Sequence, residues 1–197
     1  MNKVYAVVYP IIWTFLKVFH PWKYRGVEHV PDGPVVICGN HSSLGDPLYV
    51  MGSVGRKQLL RVMAKDELLQ IPVMGFLLKK IGVIGVKRGK SDVAAIKECM
   101  RVLKNGEKIL LFPEGTRVKD GQVGEVHTGA AMLATRTGVP LMPVYISTNK
   151  KWFKTTHVVF GEAYMPQFEG KRPNSEDYER ISEDLMARIK ALGGELT

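Results

Sequence analysis

The sequence predicts an α/β fold: a mixed, largely parallel central sheet flanked by helices, entered through an N-terminal interfacial helical segment. Two observations carry this. Short, mostly apolar runs fenced by turn residues, at 35–38, 59–64, 108–112 and 141–146, read as strands buried on both faces. Between them lie stretches whose apolar residues recur every three or four positions, as in 92–103 and 176–192, the period of a helix packed on one side. A third observation concerns chemistry, because polar clusters follow three of the expected strands at once. The C-terminal edge of the strands is where α/β sheets build their sites.

The chain has 197 residues, enough for one domain with a proper core, and 45% of them are hydrophobic. Lys and Arg number 28 against 19 Asp and Glu, a formal charge of +9. That balance favours phosphate-bearing partners: nucleic acid, anionic lipid or a phosphorylated metabolite. Cys38 and Cys99 are the only cysteines. One falls in an expected strand and one in an expected helix, so both read as reduced packing residues of a cytosolic protein. No spacing of Cys or His fits a metal-ligand pattern, so no metal is expected.

In chain order, residues 4–19 form the most apolar segment, broken by Pro10 and Lys17. It falls short of the roughly 20 residues a spanning helix needs. No small-residue cleavage site follows it, which argues against a signal peptide. Tyr5, Tyr9, Trp13, Phe15, Phe19 and Trp22 suit a membrane interface, and Lys3, Lys17, Lys23 and Arg25 have no compensating acid. Residues 1–25 are therefore expected to be a monotopic membrane-interface segment on the cytoplasmic face, with Trp13, Phe15, Phe19 and Trp22 in the headgroup boundary. Residues 26–197 are expected to be a single domain. The competing reading is a helix packed on the domain's own core.

The strand at 35–38 leads through Gly39-Asn40-His41 to Asp46-Pro47, where Asp suits an N-cap and Pro the first helical position. His41 and Asp46 thus share one tight strand-to-helix loop. Asp46 can bond one ring nitrogen and fix the tautomer, leaving the other nitrogen to accept a proton. The plainer alternative makes Asp46 a helix cap alone. Asp46→Asn keeps a capping oxygen but loses the charge, so activity is expected to fall steeply while stability changes by about 1 kcal/mol or less.

A helix over 47–54 and a strand over 59–64 follow, then a short helix opened by Lys65-Asp66-Glu67 and another over 73–80 that ends in basic residues. Residues 82–88 read as a strand delivering Lys87 and Arg88. The stretch 86–91, VKRGKS, ends like a phosphate-binding P-loop, but Ile84 stands where the opening glycine belongs and Gly85 is out of register. Ser91 reads instead as the cap of the helix at 92–103. The strand at 108–112 delivers Pro113-Glu114-Gly115-Thr116-Arg117, a set suited to a polar phosphorylated ligand or, equally, to a turn closed by a Glu–Arg pair. Gly121 and Gly124 loosen the next loop, and Thr128 caps a helix at 129–137. A strand at 141–146, a polar loop through Lys150, Lys151 and Lys154, a strand at 157–161 and the helix at 176–192 complete the chain. His127 and His157 have no adjacent acid and receive no chemistry.

Asn40 to Asp46, Lys87-Arg88 and Glu114 to Arg117, in this order, resemble the glycerolipid acyltransferase family, in particular the bacterial 1-acylglycerol-3-phosphate acyltransferases. The family's NHxxxxD block stands here as Asn40-His41 to Asp46. Its G-x-I-x-[IV]-x-R block stands as Gly82, Ile84, Val86 and Arg88, and FPEGTR is complete from Phe112 to Arg117. The VP-x-x-PV strand matches Val139-Pro140 and Pro143-Val144. An AK-x-EL segment is present at Ala64-Lys65 and Glu67-Leu68. The chain departs from the family at Val118, where Ser is usual, and at Val126-His127, where many relatives carry Phe-Lys.

The resemblance implies a glycerol-3-phosphate-acyltransferase-like fold. It also implies transfer of a fatty acyl group from a thioester, of acyl-carrier protein or coenzyme A, to the middle hydroxyl of lysophosphatidic acid, giving phosphatidic acid in phospholipid biosynthesis. His41 would be the base and Asp46 its orienting acid. Arg88 and Arg117, with Lys65 or Lys87, would hold the phosphate, and Glu114 would accept from a substrate hydroxyl. Gly115 and Thr116 would line the ligand. No cofactor beyond the acyl donor is implied, and the partners are lysophosphatidic acid, the donor and an anionic membrane surface, with no nucleic acid. Other lysophospholipids or glycerol 3-phosphate are alternative acceptors. Charge alone would also fit a basic membrane- or nucleic-acid-binding domain, but such a module has no use for an oriented histidine base.

Overall fold

Runs of consecutive buried residues put two of the expected strands at the centre of one sheet. A computed structural model of the chain describes residues 10, 13–14, 17–55, 58, 60–87, 92–115 and 126–194. Among them the strands are β1 (Trp22–Arg25), β2 (Val36–Gly39), β3 (Leu60–Lys65), β4 (Ile84–Val86), β5 (Lys108–Leu111), β6 (Leu141–Ile146) and β7 (Thr156–Phe160). Their spatial order is β1-β7-β6-β2-β5-β3-β4. Every neighbouring pair is parallel except β6 and β7. The mixed, largely parallel sheet expected from the sequence is the one found.

This topology has a geometric consequence. Because β7 and β1 run against the other strands, the C-terminal ends of β2 to β6 and the N-terminal ends of β7 and β1 share one edge. Everything that leaves β2, β3, β4, β5 and β6, and everything that enters β7 and β1, gathers there.

The helices are α1 (Asp46–Val54), α2 (Asp66–Gln70), α3 (Met74–Lys80), α4 (Val93–Lys104), α5 (Gly129–Thr137) and α6 (Ser175–Gly194). Strand alternation divides the core between the two faces of the sheet. Val36 and Cys38 of β2 and Ile109 and Leu111 of β5 pack with residues of α4, α5 and α6, such as Val102, Leu133 and Leu185. Ile37, Leu110 and Met142 pack on the other face with Tyr49 and Val50 of α1. Cys38 and Cys99 are buried free thiols, as expected. Burial pushes both upward, Cys99 to about 12, so neither is a thiolate near neutrality.

β1 is the strand that sequence pattern does not reveal. Three of its four residues are exposed, and its stability comes from pairing with β7, with Trp22 opposite Thr156. Trp22 also donates from Nε1 to Ser53 Oγ at 3.2 Å, and Trp13 meets its ring edge-on at 6.4 Å. Both indoles lie over Gly52, where a Cβ would stand 2.8 Å from the Trp22 ring. Trp13 and Trp22, both half-buried, thus pack against α1. Phe15 lies outside the described residues. Phe19 is half-buried against Trp152 and Phe153, at 6.0 and 5.8 Å between ring centres. Among the described residues no helix is long and apolar enough to cross a membrane.

Two helix starts also differ from expectation. α1 begins at Asp46 itself, with Gly45 in the cap position and no side-chain cap. The cap of α4 is Asp92, whose carboxylate accepts from Ala95 N–H at 3.0 Å and Lys87 N–H at 2.9 Å. Ser91, the expected cap, lies outside the described residues.

Candidate active site

β2 ends at Gly39, and the next residue turns the chain without abandoning the sheet. The Asn40 amide donates to Ile146 O and accepts from Ile146 N–H, both at 2.8 Å. His41 then stands clear of the ladder at the shared edge. Its ring stacks on Phe112, the residue just after β5, with centres 4.3 Å apart and planes 22° from parallel.

The loop closes on Asp46. His41 Nδ1 lies 2.9 Å from Asp46 Oδ2, and the same oxygen accepts from Ser42 N–H at 2.8 Å and Ser43 N–H at 2.7 Å. Asp46 therefore turns its carboxylate back into the loop instead of capping its helix. It is fully buried, whereas the His41 side chain keeps 16% of its surface exposed. On the other oxygen sits the Lys150 ammonium, 2.8 Å from Asp46 Oδ1, which also donates to Ser42 Oγ at 2.6 Å. Burial pushes the Asp46 carboxyl up. The bonds from His41, the Lys150 charge and the Ser43 N–H outweigh it and hold the group below the usual carboxylate range. An ionised carboxylate only accepts, so Nδ1 carries the proton and Nε2 is the basic nitrogen.

Glu114 has a task that the sequence does not suggest. Its Oε2 accepts from the His41 backbone N–H at 2.9 Å, so the carboxylate fixes the main chain of the base. Burial raises the Glu114 carboxyl above its ordinary range despite this bond and the neighbouring imidazole. Gly115 follows with φ +61°, the left-handed region, and a Cβ there would collide with the His127 ring. His127 is held in place by its N–H to Pro113 O at 2.9 Å.

Lys65 ends β3 opposite Val86, which sets it beside Lys87 at the same edge. Arg88, Thr116 and Arg117, expected at the site, lie outside the described residues. A cleft beside β4 between Arg61, Lys79, Lys87 and Arg101 does not reach the dyad, since neither His41, Asp46 nor Glu114 lines it. Its guanidinium groups are engaged locally, Arg61 with Glu107 and Arg101 with Glu98, each at 2.6 Å.

Sequence reasoning missed Lys150 and Phe112 as neighbours of the dyad, and His127 as the neighbour of Gly115. Lys150 is 104 positions from Asp46, and an unremarkable polar loop carries it. No local signal could have marked it, although a lysine in the loop leaving the strand next to β2 is a place to look.

Comparison with known proteins agrees with this geometry. The family described as Acyltransferase matches residues 22–147. A chloroplastic 1-acyl-sn-glycerol-3-phosphate acyltransferase of Brassica napus, BAT2, is 35% identical over 150 residues, covering 73% of this chain and 43% of that protein. The 1-acyl-sn-glycerol-3-phosphate acyltransferase of Pseudomonas aeruginosa is 31% identical over 185 residues, covering 87% of this chain and 71% of that one. The chain thus spans less than half the length of the chloroplastic relatives of Brassica napus and Arabidopsis thaliana that it matches. The crystal structure of the 1-acyl-sn-glycerophosphate acyltransferase PlsC of Thermotoga maritima superposes with a TM-score of 0.66 at 28% identity, over 86% of this chain and 71% of that one. On the family match and on these relatives, the chain belongs to the acyltransferase family.

Proposed function

We propose that the chain transfers a fatty acyl group from an acyl thioester to the free 2-hydroxyl of 1-acylglycerol 3-phosphate, giving phosphatidic acid. The observation that carries this reading is the His41 ring, oriented through Nδ1 by buried Asp46 and partly open at its other side. Nε2 takes the hydroxyl proton as the substrate oxygen attacks the thioester carbonyl. The C–S bond then breaks, and the departing sulfur recovers that proton from His41. General base catalysis of this kind contributes about 10²–10⁴-fold. The sequence has no GxSxG elbow, so the acyl group passes directly to the acceptor.

Arg88 and Arg117, with Lys65, hold the acceptor phosphate, since a guanidinium fork matches phosphate oxygens. Glu114 acts on His41 as well as on the ligand, and Gly115 lets the main chain approach closely. The enzyme needs no cofactor besides its donor, acyl-carrier protein or coenzyme A thioester. It works as a monotopic protein on the cytoplasmic face of an anionic membrane. In support, residues 1–27 contain no Asp or Glu, and Phe19 with the exposed Val18 stands at the edge that bears the dyad.

The test is acyl transfer by the purified full chain, with lysophosphatidic acid and glycerol 3-phosphate as acceptors and both thioesters as donors. His41→Ala should abolish transfer while its circular dichroism and melting stay those of the parent. Near-normal turnover in folded His41→Ala would end this mechanism.

A further inference from the structure

Scattered apolar side chains on a surface need no explanation, but clusters do. Among the described residues, exposed large apolar side chains cluster in two connections. One leaves β3 and carries Ile71, Val73, Met74 and Phe76; the other leaves β6 and carries Trp152 and Phe153. Both begin at the edge that bears the dyad. The sheet order puts β6 next to β2 on one side, and β3 beyond β5 on the other. At about 4.8 Å per strand, the two connections leave the sheet roughly 14 Å apart with His41 between them.

The backbone singles out the same two places. Among the described residues, Val73 and Phe153 are the non-glycine residues with positive φ, at 63° and 60°. Val73 has ψ −58° and sits inside a three-residue turn closed by Met74 N–H to Pro72 O at 2.6 Å. That γ-turn is the rare, strained form, and a β-branched residue is poorly suited to it. Neither strained residue is rewarded by burial, for Val73 is 74% exposed and Phe153 68%.

Charge indicates what covers them. Residues 71–83 and 147–161 contain no Asp or Glu. Lys79, Lys80, Lys151 and Lys154 are exposed beside the apolar tips, and the Lys80 ammonium lies over the Phe76 ring at 5.5 Å. Apolar tips ringed by cations match an anionic headgroup layer over hydrocarbon.

We propose that Val73 and Phe76 on one side of the dyad, and Trp152 and Phe153 on the other, form a two-pronged docking face for an anionic lipid bilayer. The inference deepens the reading of the acceptor as a bilayer lipid and rests on it. Two separated supports fix the tilt of the sheet edge, so the dyad faces the headgroup layer. The loop that carries Trp152 and Phe153 also carries Lys150, which ties this prong to Asp46.

Sedimentation of the full chain with phosphatidylcholine vesicles containing phosphatidylglycerol tests this. Trp152→Ser/Phe153→Ser and Val73→Ser/Phe76→Ser should each weaken vesicle binding about tenfold or more, as removal of buried apolar side chains does. Both variants should keep the parent's activity on a short-chain lysophosphatidate below its micellar concentration. As a second readout, brominated acyl chains should quench the fluorescence of the unaltered protein, and Trp152→Phe should lose part of that quenching. Vesicle binding that ignores either pair overturns the two-pronged face. So does loss of short-chain activity with vesicle binding intact, which would make the residues a substrate channel. Loss of binding to acidic acyl-carrier protein with vesicle binding intact overturns it in favour of a protein partner. A parent chain that acylates no lysophospholipid, while both pairs still govern vesicle binding, sinks the proposed reaction and leaves the docking face standing.

Discussion

Replacing Lys150 by Met separates the ammonium from the stem that carries it. Met keeps most of the length and volume of the lysine chain but offers Asp46 no charge. Asp46 is fully buried, and the Lys150 side chain is only 9% exposed, with 2.8 Å between the charged atoms. Removing one partner of such a buried pair costs about 3–5 kcal/mol. Asp46 keeps His41 and the Ser42 and Ser43 N–H groups on its other oxygen, which puts the expected loss at the lower end, about 3 kcal/mol. For a chain of this length that is a fall in Tm of about 6–12 °C near neutral pH. The sign of the pH dependence follows from Asp46. Its folded pKa is depressed, so its contribution is present above the unfolded carboxylate value and is lost as pH falls through the folded one. In Lys150→Met the uncompensated carboxyl rises and takes up its proton sooner on acidification. Below that point the variant no longer buries an unpaired charge. Urea denaturation at neutral and mildly acid pH should therefore show a gap that narrows toward acid. A gap of equal size at both, or one below about 1 kcal/mol at neutral pH, would refute the reasoning and reduce Lys150 to a packing residue.

Asp46→Asn should abolish most activity and also destabilise by about 3 kcal/mol, because it strands the buried Lys150 ammonium; the double variant with Lys150→Met should recover part of that loss, which a double-mutant cycle measures. Gly115→Ala should lose about 1–2 kcal/mol from its left-handed backbone alone, plus the collision with the His127 ring. Adding His127→Ala should restore only the second part, as melting of the three variants will show. Arg88→Ala and Arg117→Ala should raise the acceptor KM by the equivalent of roughly 1.5–3 kcal/mol each and leave the donor KM unmoved; a rise in donor KM instead would reassign both to the thioester.

What the sequence discloses about this fold follows burial. β2 and β5 are buried at every position, so consecutive apolar residues mark them within a residue of their ends. β1 reads WKYR, and its exposed residues leave only backbone pairing with β7 to define it, a contact across 134 positions that no local pattern encodes. The same rule divides the site. His41 and Asp46 lie on one short loop, so their spacing is visible. The reach of Lys150 to Asp46 and of Glu114 to the His41 backbone depends on which strands are neighbours. Composition marks Trp13 and Trp22 as residues that suit a lipid surface, but that a glycine on α1 makes room for both indoles is not legible there.

Asn40 carries a consequence of a different kind. Its amide stands in for one peptide unit, meeting both the N–H and the C=O of Ile146. A peptide can fill that rung only while its chain stays extended. A side chain that fills it lets the main chain depart one residue early, and so gives His41 its exit from the sheet. Ile146 is also the last residue of β6, from which the loop bearing Lys150 departs. Two active-site loops, also joined by Lys150 to Asp46 and Ser42, are thereby pinned to each other at their roots by one carboxamide. Their relative offset is set by the length of that side chain, which makes glutamine at position 40, longer by one methylene, a way to slide the base and the lysine apart without touching either.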